Sequence, residues 1–503
     1  MTATTPRRPP VGEPAGRDRS ADDQPRSGVR GRCLPYGLWA ALAVLYATVS
    51  LTRYDRLDVV SWDLGIFAQA ARSYAERGYP VVDIKGPGFQ LLGDHFSPVI
   101  ALWGPLWALA PSPVTLLVCQ ALLVSFSVVP VTRAALRVFG STAAAGAVGL
   151  AYGLSFGLLA AVDFDVHEYA FAAPLLALAG EAYLRGRWRA TAGWSAALVL
   201  VKEDLGLTVA AVGLVLLLSG ARRWGAGLAV FGVGATVLTL LVVIPAVAPD
   251  GSWDYWERIG GGAGGAGAGG LASSVWSLPA ALVTPAAKVE TWLLTFGITG
   301  FLALRSPWVL VAMPTLAWRM ASDYPFYWGT DLHYSLIPMP ILFVAMLDAV
   351  LRTRRSRPLW LRRYAAQVPV VVLTAAVVLC LDSPVARVLS PAAYADSARE
   401  LDAEQVLAML PPDSSVETDI GLLAPLVAEH DVYFTGTNSG PNSVATEWVI
   451  VDTSISWDPA DDLVQWAERR HPGARYERLP NVGRYLIARR VSDALLDTGP
   501  ARG

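Results

Sequence analysis

From Tyr36 to Leu381 the sequence is a succession of uncharged apolar blocks, each ended by an arginine cluster or by an acidic, aromatic loop. A block of this kind has no polar face to turn toward water. It folds where hydrocarbon is the solvent, as a helix whose backbone groups bond one another. Composition agrees: of 503 residues, 53% are hydrophobic and 16% charged, against the ~25% charged usual for soluble domains. Acidic and basic residues nearly balance, 42 against 40, so no global charge points to nucleic acid. Cys33, Cys119 and Cys380 lie in or beside apolar blocks and make neither a disulfide framework nor a Cys/His metal spacing.

The arginine clusters act as a ruler for topology, because loops rich in Lys and Arg stay in the cytoplasm. Residues 1–35, rich in Pro, Arg, Asp and Gly, read as a disordered basic cytoplasmic tail. A tail this long before Tyr36–Leu51 argues for an uncleaved first span over a signal peptide. Arg133 with Arg137, Arg185 with Arg187 and Arg189, Arg222 with Arg223, and the block Arg352–Arg363 then mark the inner face. Residues 36–384 form the transmembrane domain on this reading, with about eleven spans and a large first outer loop over 53–98. Ser97–Ala110 is apolar but short, and reads as an interfacial or re-entrant helix. Ala190–Val201 and Leu205–Leu218 fall short of the ~20 residues a crossing needs, yet arginines on both sides of the pair require an even number of crossings. The Gly/Ala run 260–270 reads as flexible linker.

After Asp382 the composition becomes that of a soluble domain. Helical patterning over Ala398–Leu410 and Ala460–Arg470 alternates with strand-like runs at Ser415–Thr418, Val432–Thr435 and Trp448–Asp452. Tyr476–Arg489 reads as a hairpin turning near Asn481 and Gly483. Residues 385–503 are therefore expected to form a small α/β domain outside the membrane, with a core of its own.

The first outer loop concentrates Asp55, Asp58, Asp63, Asp83, Asp94 and His95. Within it Ile66, Phe67, Ala70, Ala71 and Tyr74 follow helical spacing, suited to a membrane surface or neighbouring helices. Asp63 stands at the start of that helix, where the helix dipole favours a carboxylate whether or not it does chemistry. Further polar clusters share the outer face: Asp163, Asp165 and His167; Lys202, Glu203 and Asp204; Asp331, His333 and Tyr334. Ionisable groups at membrane depth usually mark a site, although solvated loops between spans look similar one at a time. No P-loop, GxSxG, HExxH or Rossmann fingerprint is present in a suitable context, which argues against ATP-driven transport by this chain alone.

The pieces D63-L-G-I-F-A-Q69, L92-G-D-H-F-S-P98, F164-D-V-H167, L200-V-K-E-D204, S322-D-Y-P-F-Y and H333-Y-S335 run in order over roughly residues 36–350. Together they resemble a bacterial polytopic membrane protein family of unknown function, the domain-of-unknown-function 2079 family. In that family's third motif, F-D-F-H-P-E, this chain has Val166 at the second Phe, Glu168 at the Pro and Tyr169 at the Glu. Asp165 and His167 match, and Glu168 departs from the pattern. The family is similar to the GT-C glycosyltransferases, in which an acidic residue of the first outward loop serves the reaction and the donor is a polyprenyl-phosphate sugar.

That resemblance implies a mainly α, GT-C-like transmembrane bundle acting on the extracytoplasmic face. Asp63 would be the catalytic general base, with a metal-ligand role as the lesser alternative and divalent metal dependence left open. Asp94, His95, Asp165, His167, Lys202, Glu203, Asp204, His333 and Tyr334 would bind substrate. The partners implied are a polyprenyl-phosphate-linked sugar, an envelope acceptor and membrane lipid, with no nucleic acid. Two rival readings are a transporter or flippase of an envelope component, which would need a polar path between the faces, and a non-catalytic membrane scaffold.

Overall fold

The computed structural model describes residues 29–57, 61–249, 251, 279–455 and 462–491. The expected tail 1–28, Asp58 and the Gly/Ala run 260–270 lie outside these. Helix α1, Val29–Asp55, begins before Tyr36, so residues 29–35 belong to the first helix and not to a disordered tail. Arg30 and Arg32 are good helix formers and extend the apolar run by two turns.

Helix α2 (Trp62–Arg77) lies in the loop 53–98, the expected outer loop, α3 (Trp103–Leu109) follows it, and α4 (Pro113–Phe126) and α5 (Val128–Phe139) come next as one apolar rod. Next come α6 (Thr142–Gly153) and α7 (Phe156–Phe164), bent by 41° at the break, then α8 (Tyr169–Leu184). Helices α9 (Trp188–Ala196), α10 (Leu205–Leu218) and α11 (Arg222–Leu238) complete the first half. The second half holds Ala286–Gly297, Met313–Ala321, Pro338–Thr353 and Leu359–Cys380.

Among the described residues, five helices are long and apolar enough to cross a membrane, or six if α6 and α7 count as one broken span. Pro98–Leu109, Tyr169–Leu184 and Leu205–Leu218 are shorter apolar helices. Eleven crossings are therefore not established; at 1.5 Å per residue the short segments do not reach across hydrocarbon unaided. Pro98–Leu109 keeps Leu102, Leu106 and Leu109 exposed while Trp103 and Trp107 are buried, the sidedness of an interfacial helix.

The bundle core runs from Leu42 and Tyr46 of α1 through α5, α8 and α10 to Pro338–Thr353, whose residues Pro338–Val350 are all buried. Outside the bundle the C-terminal segment forms a five-stranded sheet in the order β2-β1-β3-β5-β4. Its strands are β1 (Ser415–Thr418), β2 (Asp431–Phe434), β3 (Trp448–Asp452), β4 (Tyr476–Arg478) and β5 (Tyr485–Arg490). β1 pairs parallel with β2 and β3, and β5 pairs antiparallel with β3 and β4. One sheet face is covered by Leu463 and Ala467 of the helix Leu463–Arg470.

The other sheet face is not a private core. Val416, Val432, Ile450 and Ile487 share one apolar cluster with Leu64, Phe67, Ala68, Ala71 and Ile84 of the outer loop. The amphipathic face of α2 is thus spent on the sheet unit and α3, not on lipid. Hydrogen bonds fasten the contact. The Ser61 N–H donates to Ile420 O at 3.1 Å, Gln69 Nε2 to Val432 O at 3.1 Å, and Thr437 Oγ1 to Ile84 O at 2.7 Å. Gly65 permits the approach, since a Cβ there would lie 3.0 Å from Leu423 Cβ.

Candidate functional site

The N-terminus of α2 meets the turn between α7 and α8. Asp63, in the first turn of α2, keeps 22% of its side chain exposed and places Oδ2 3.4 Å from His167 Nε2. The Leu64 N–H donates to Asp165 Oδ2 at 3.1 Å, so two acidic side chains meet at the same helix end. Gln120 of α4 clamps the turn from below: its Nε2 donates to Asp165 O at 2.7 Å, and its Oε1 accepts the His167 N–H at 2.9 Å.

A chain of opposite charges extends from His167 into the bundle. Its Nδ1 lies 3.0 Å from Glu168 Oε2, and Glu168 Oε1 lies 2.8 Å from Lys202 Nζ. Lys202 also sits 4.7 Å from the centre of the Tyr169 ring, whose hydroxyl reaches both Asp204 oxygens at 3.3 Å. Next to Lys202, Glu203 accepts from the outer loop: His95 Nδ1 stands 2.8 Å from Oε1, and the Phe96 N–H donates to Oε2 at 3.1 Å. Lys85 Nζ donates to Asp94 Oδ2 at 2.7 Å. The Lys202–Asp204 segment is no solvated loop, for Lys202 and Glu203 are buried.

The third wall comes from the start of the Pro338–Thr353 helix. The His333 ring stacks on His167 with centroids 3.5 Å apart, and the Tyr334 ring lies 4.1 Å from His333. Among the described residues neither His333 ring nitrogen has a hydrogen-bond partner, although the residue is buried. Arg319 fixes this wall from behind, donating to the carbonyls of Tyr327 (3.0 Å), Gly329 (2.8 Å) and Tyr334 (3.2 Å). Gly157 of α7 lets the wall close, because a Cβ there would meet Ser335 O at 2.4 Å.

Charge is distributed unevenly over the turn that carries His167. Burial, then the negative charge of Asp63, pushes Asp165 up to about 8, so it holds its proton at neutral pH. Burial alone would pull His167 down, but Glu168 and Asp63 override it and leave the imidazole at about 9. Burial would likewise raise Glu168; Lys202 and His167 outweigh it and hold the carboxyl well below its usual range. The site therefore offers an accessible carboxylate at Asp63 beside two cations, His167 and Lys202, bridged by Glu168. A narrow crevice lined by Arg53, Tyr54, Asp163, Asp165 and Pro425 runs beside it between bundle and sheet unit. Among the described residues, no group of three or more His, Cys, Asp or Glu side chains converges as metal ligands.

A family profile described as "Predicted membrane protein (DUF2079)" matches residues 53–496, most of the chain and all of this cluster. The chain belongs to the DUF2079 family. The solved structure of ArnT from Cupriavidus metallidurans in the apo state is similar at a TM-score of 0.51 and 15% identity. The match covers 90% of this chain and 97% of that one. The shared architecture is the GT-C-like helical fold that the motifs imply. A search of curated proteins found no match.

In this DUF2079 protein the fold brings Asp63, Asp94, His95, Asp165, His167, Lys202, Glu203, Asp204, His333 and Tyr334 into one connected cluster. The other acids of these loops are elsewhere. Asp163 pairs with Arg53 at 3.3 Å and with Arg387, Asp83 accepts from the Gly88 N–H at 2.7 Å, and Asp331 is exposed. Sequence reasoning undervalued Glu168, which departs from the family pattern yet links His167 to Lys202. It missed Gln120 inside an apolar block, and Tyr169 and Arg319 at the ends of two others. The usable signal was the expense of a lone Gln or Arg in such a block.

Proposed function

We propose that this protein is a GT-C-type membrane glycosyltransferase that takes a polyprenyl-phosphate-linked sugar on the extracytoplasmic side. The observation that carries this reading is Asp63 Oδ2 at 3.4 Å from His167, partly exposed at the mouth of a cluster whose inner end is Lys202. Asp63 accepts the proton of an acceptor hydroxyl as its oxygen attacks the anomeric carbon. The bond from that carbon to the phosphate oxygen breaks, and its electron pair leaves with the phosphate. Lys202 and His167 offset the charge that gathers there. The donor reaches the site laterally from the bilayer, and the acceptor enters from the sheet-unit side.

The interior of the bundle weighs against a transporter. A second polar cluster, Glu181 with Arg133 and Arg137 at 2.5 Å, occupies the opposite end of α8, twelve residues or ~18 Å from Tyr169. Residues 170–180 between them, and 338–347 alongside, carry no polar side chain. A polar path along these helices is missing.

The test uses full-length protein in proteoliposomes, offered a panel of polyprenyl-phosphate sugars and envelope fractions as acceptors. Transfer is expected for one donor, and Asp63→Asn should lower turnover by roughly 10²–10⁴-fold while membrane insertion is unchanged. Asp55→Asn, outside the cluster, should leave it within a few-fold. Full activity of Asp63→Asn would remove the catalytic assignment, and no transfer from any donor would favour the scaffold.

A further inference from the structure

A groove at the arginine-rich end of the bundle has no part in the site above. Two contiguous cavities of about 740 and 530 Å³ lie along α9 and α11 and share Arg189, Gly193 and Trp224 as lining. Arg187 borders the first and Arg223 the second; neither is lined by any carboxylate. Among the described residues none of these three arginines forms an ion pair with an acid, whereas nearby Arg133 and Arg137 are bound to Glu181.

The two helices repeat one arrangement. Arg189 precedes Gly193 by four residues in α9, and Arg223 precedes Gly227 by four in α11, so each arginine and glycine share a face one turn apart. Glycine inside a helix costs about 1 kcal/mol relative to alanine, and close helix packing commonly explains it. Packing explains Gly225 and Gly232, whose added Cβ atoms would fall within 2.6 Å of the α10 backbone. It does not explain Gly193 or Gly227, where an added Cβ meets nothing within 4 Å. These glycines keep a channel open. Beyond them the lining continues through Ala196, Leu228 and Phe231, and Trp188 stands beside Arg187 and Arg189 at the arginine end, where indoles favour the headgroup level.

We propose that this groove binds one anionic glycerophospholipid, its phosphate held by Arg189 and Arg223 and an acyl chain laid along Gly193, Gly227 and Phe231. The choice of occupant rests on charge: an apolar channel ending in unneutralised arginines suits an anionic headgroup joined to hydrocarbon, and such basic pockets between helices select acidic lipids. The arginine end of the groove, at Arg189, lies thirteen residues or roughly 20 Å of helical rise from Lys202, and its occupancy can be measured without any transfer assay.

The experiment is native mass spectrometry of the purified full chain with equimolar phosphatidylglycerol and phosphatidylcholine. The wild type should retain phosphatidylglycerol over phosphatidylcholine by about thirtyfold, the effect of two arginines near a headgroup. Arg189→Gln with Arg223→Gln should bring that ratio near one. Gly193→Leu with Gly227→Leu, which fills the channel and leaves the charges, should reduce retention of both lipids. Millimolar inorganic phosphate should displace nothing. Equal retention of the two lipids by the wild type, an unchanged ratio in the glutamine pair, or unchanged retention in the leucine pair would overturn the proposal. Displacement by phosphate would reduce the groove to a free-anion subsite and overturn the lipid assignment.

Discussion

His167 and His333 stack face to face, their ring centroids 3.5 Å apart and their planes 23° from parallel, although they stand 166 positions apart in the chain. His167 has a carboxylate on each side, at Asp63 and Glu168, while the His333 ring nitrogens have no hydrogen-bond partner among the described residues. A buried imidazole without partners is costly unless something else supplies them. His333→Phe keeps a ring on His167 and removes both nitrogens. It should preserve thermal stability within about 1 kcal/mol and raise KM for the donor more than it lowers kcat. Unchanged kinetics in this variant would assign His333 to packing alone.

Glu168 links two cations in a buried setting, so removing its charge alone should be expensive. Glu168→Gln removes the carboxylate between Lys202 and His167 and leaves His167 with Asp63 alone, and loss of one partner of a buried pair typically costs about 3–5 kcal/mol. The double variant Glu168→Gln with Lys202→Met should recover much of that loss, since it removes the stranded charge. Thermal unfolding in detergent reads both; equal destabilisation by the single and double variants would contradict the linkage.

The charge on His167 has a pH signature. Its folded value, about 9, lies above its ordinary 6.5, so the folded state holds a proton that the unfolded chain releases between these values. The stability this adds is fully present below pH 6.5 and is lost as pH rises through 9. Asp165, raised to about 8, adds a loss in the same direction between its ordinary 3.8 and 8. Melting temperature should therefore fall from pH 6.5 to 9 in the wild type. In His167→Gln the fall between pH 8 and 9 should flatten, and an identical slope in both proteins would count against a charged His167.

The sheet unit and the outer loop should behave as one cooperative body. Gly65→Val forces a branched side chain against Leu423 and Ile84 and should cost about 1–3 kcal/mol, the usual penalty of overpacking. Expressed alone, residues 390–503 would expose Leu422, Leu423, Leu426 and Val427, which the outer loop helps to bury. The fragment should then melt at lower temperature than the sheet unit of the whole chain, as followed by limited proteolysis. A fragment as resistant as the intact protein would restore a self-sufficient domain.

Much was legible in the order of residues because it depends only on local chemistry. Apolar blocks ended by arginines can fold only as helices in hydrocarbon, and the strand-like runs Ser415–Thr418 and Trp448–Asp452 are strands at those same bounds. The shared motifs also named the residues of the cluster, since ionisable groups survive at span ends only where neighbours satisfy them. What the order could not contain was which groups face which. That Asp63 meets His167 depends on how α2 docks at the α7–α8 turn, and that His333 lies on His167 depends on Gly157 admitting Ser335. Glu168 looked like a departure from a pattern until packing set it between two cations. Span count also escaped the sequence, because a 14-residue apolar helix such as Leu205–Leu218 is the same string whether it crosses, re-enters or lies against its neighbours. Local propensity chooses the elements; long-range burial, with its demand that every interior charge find a partner, decides where they meet.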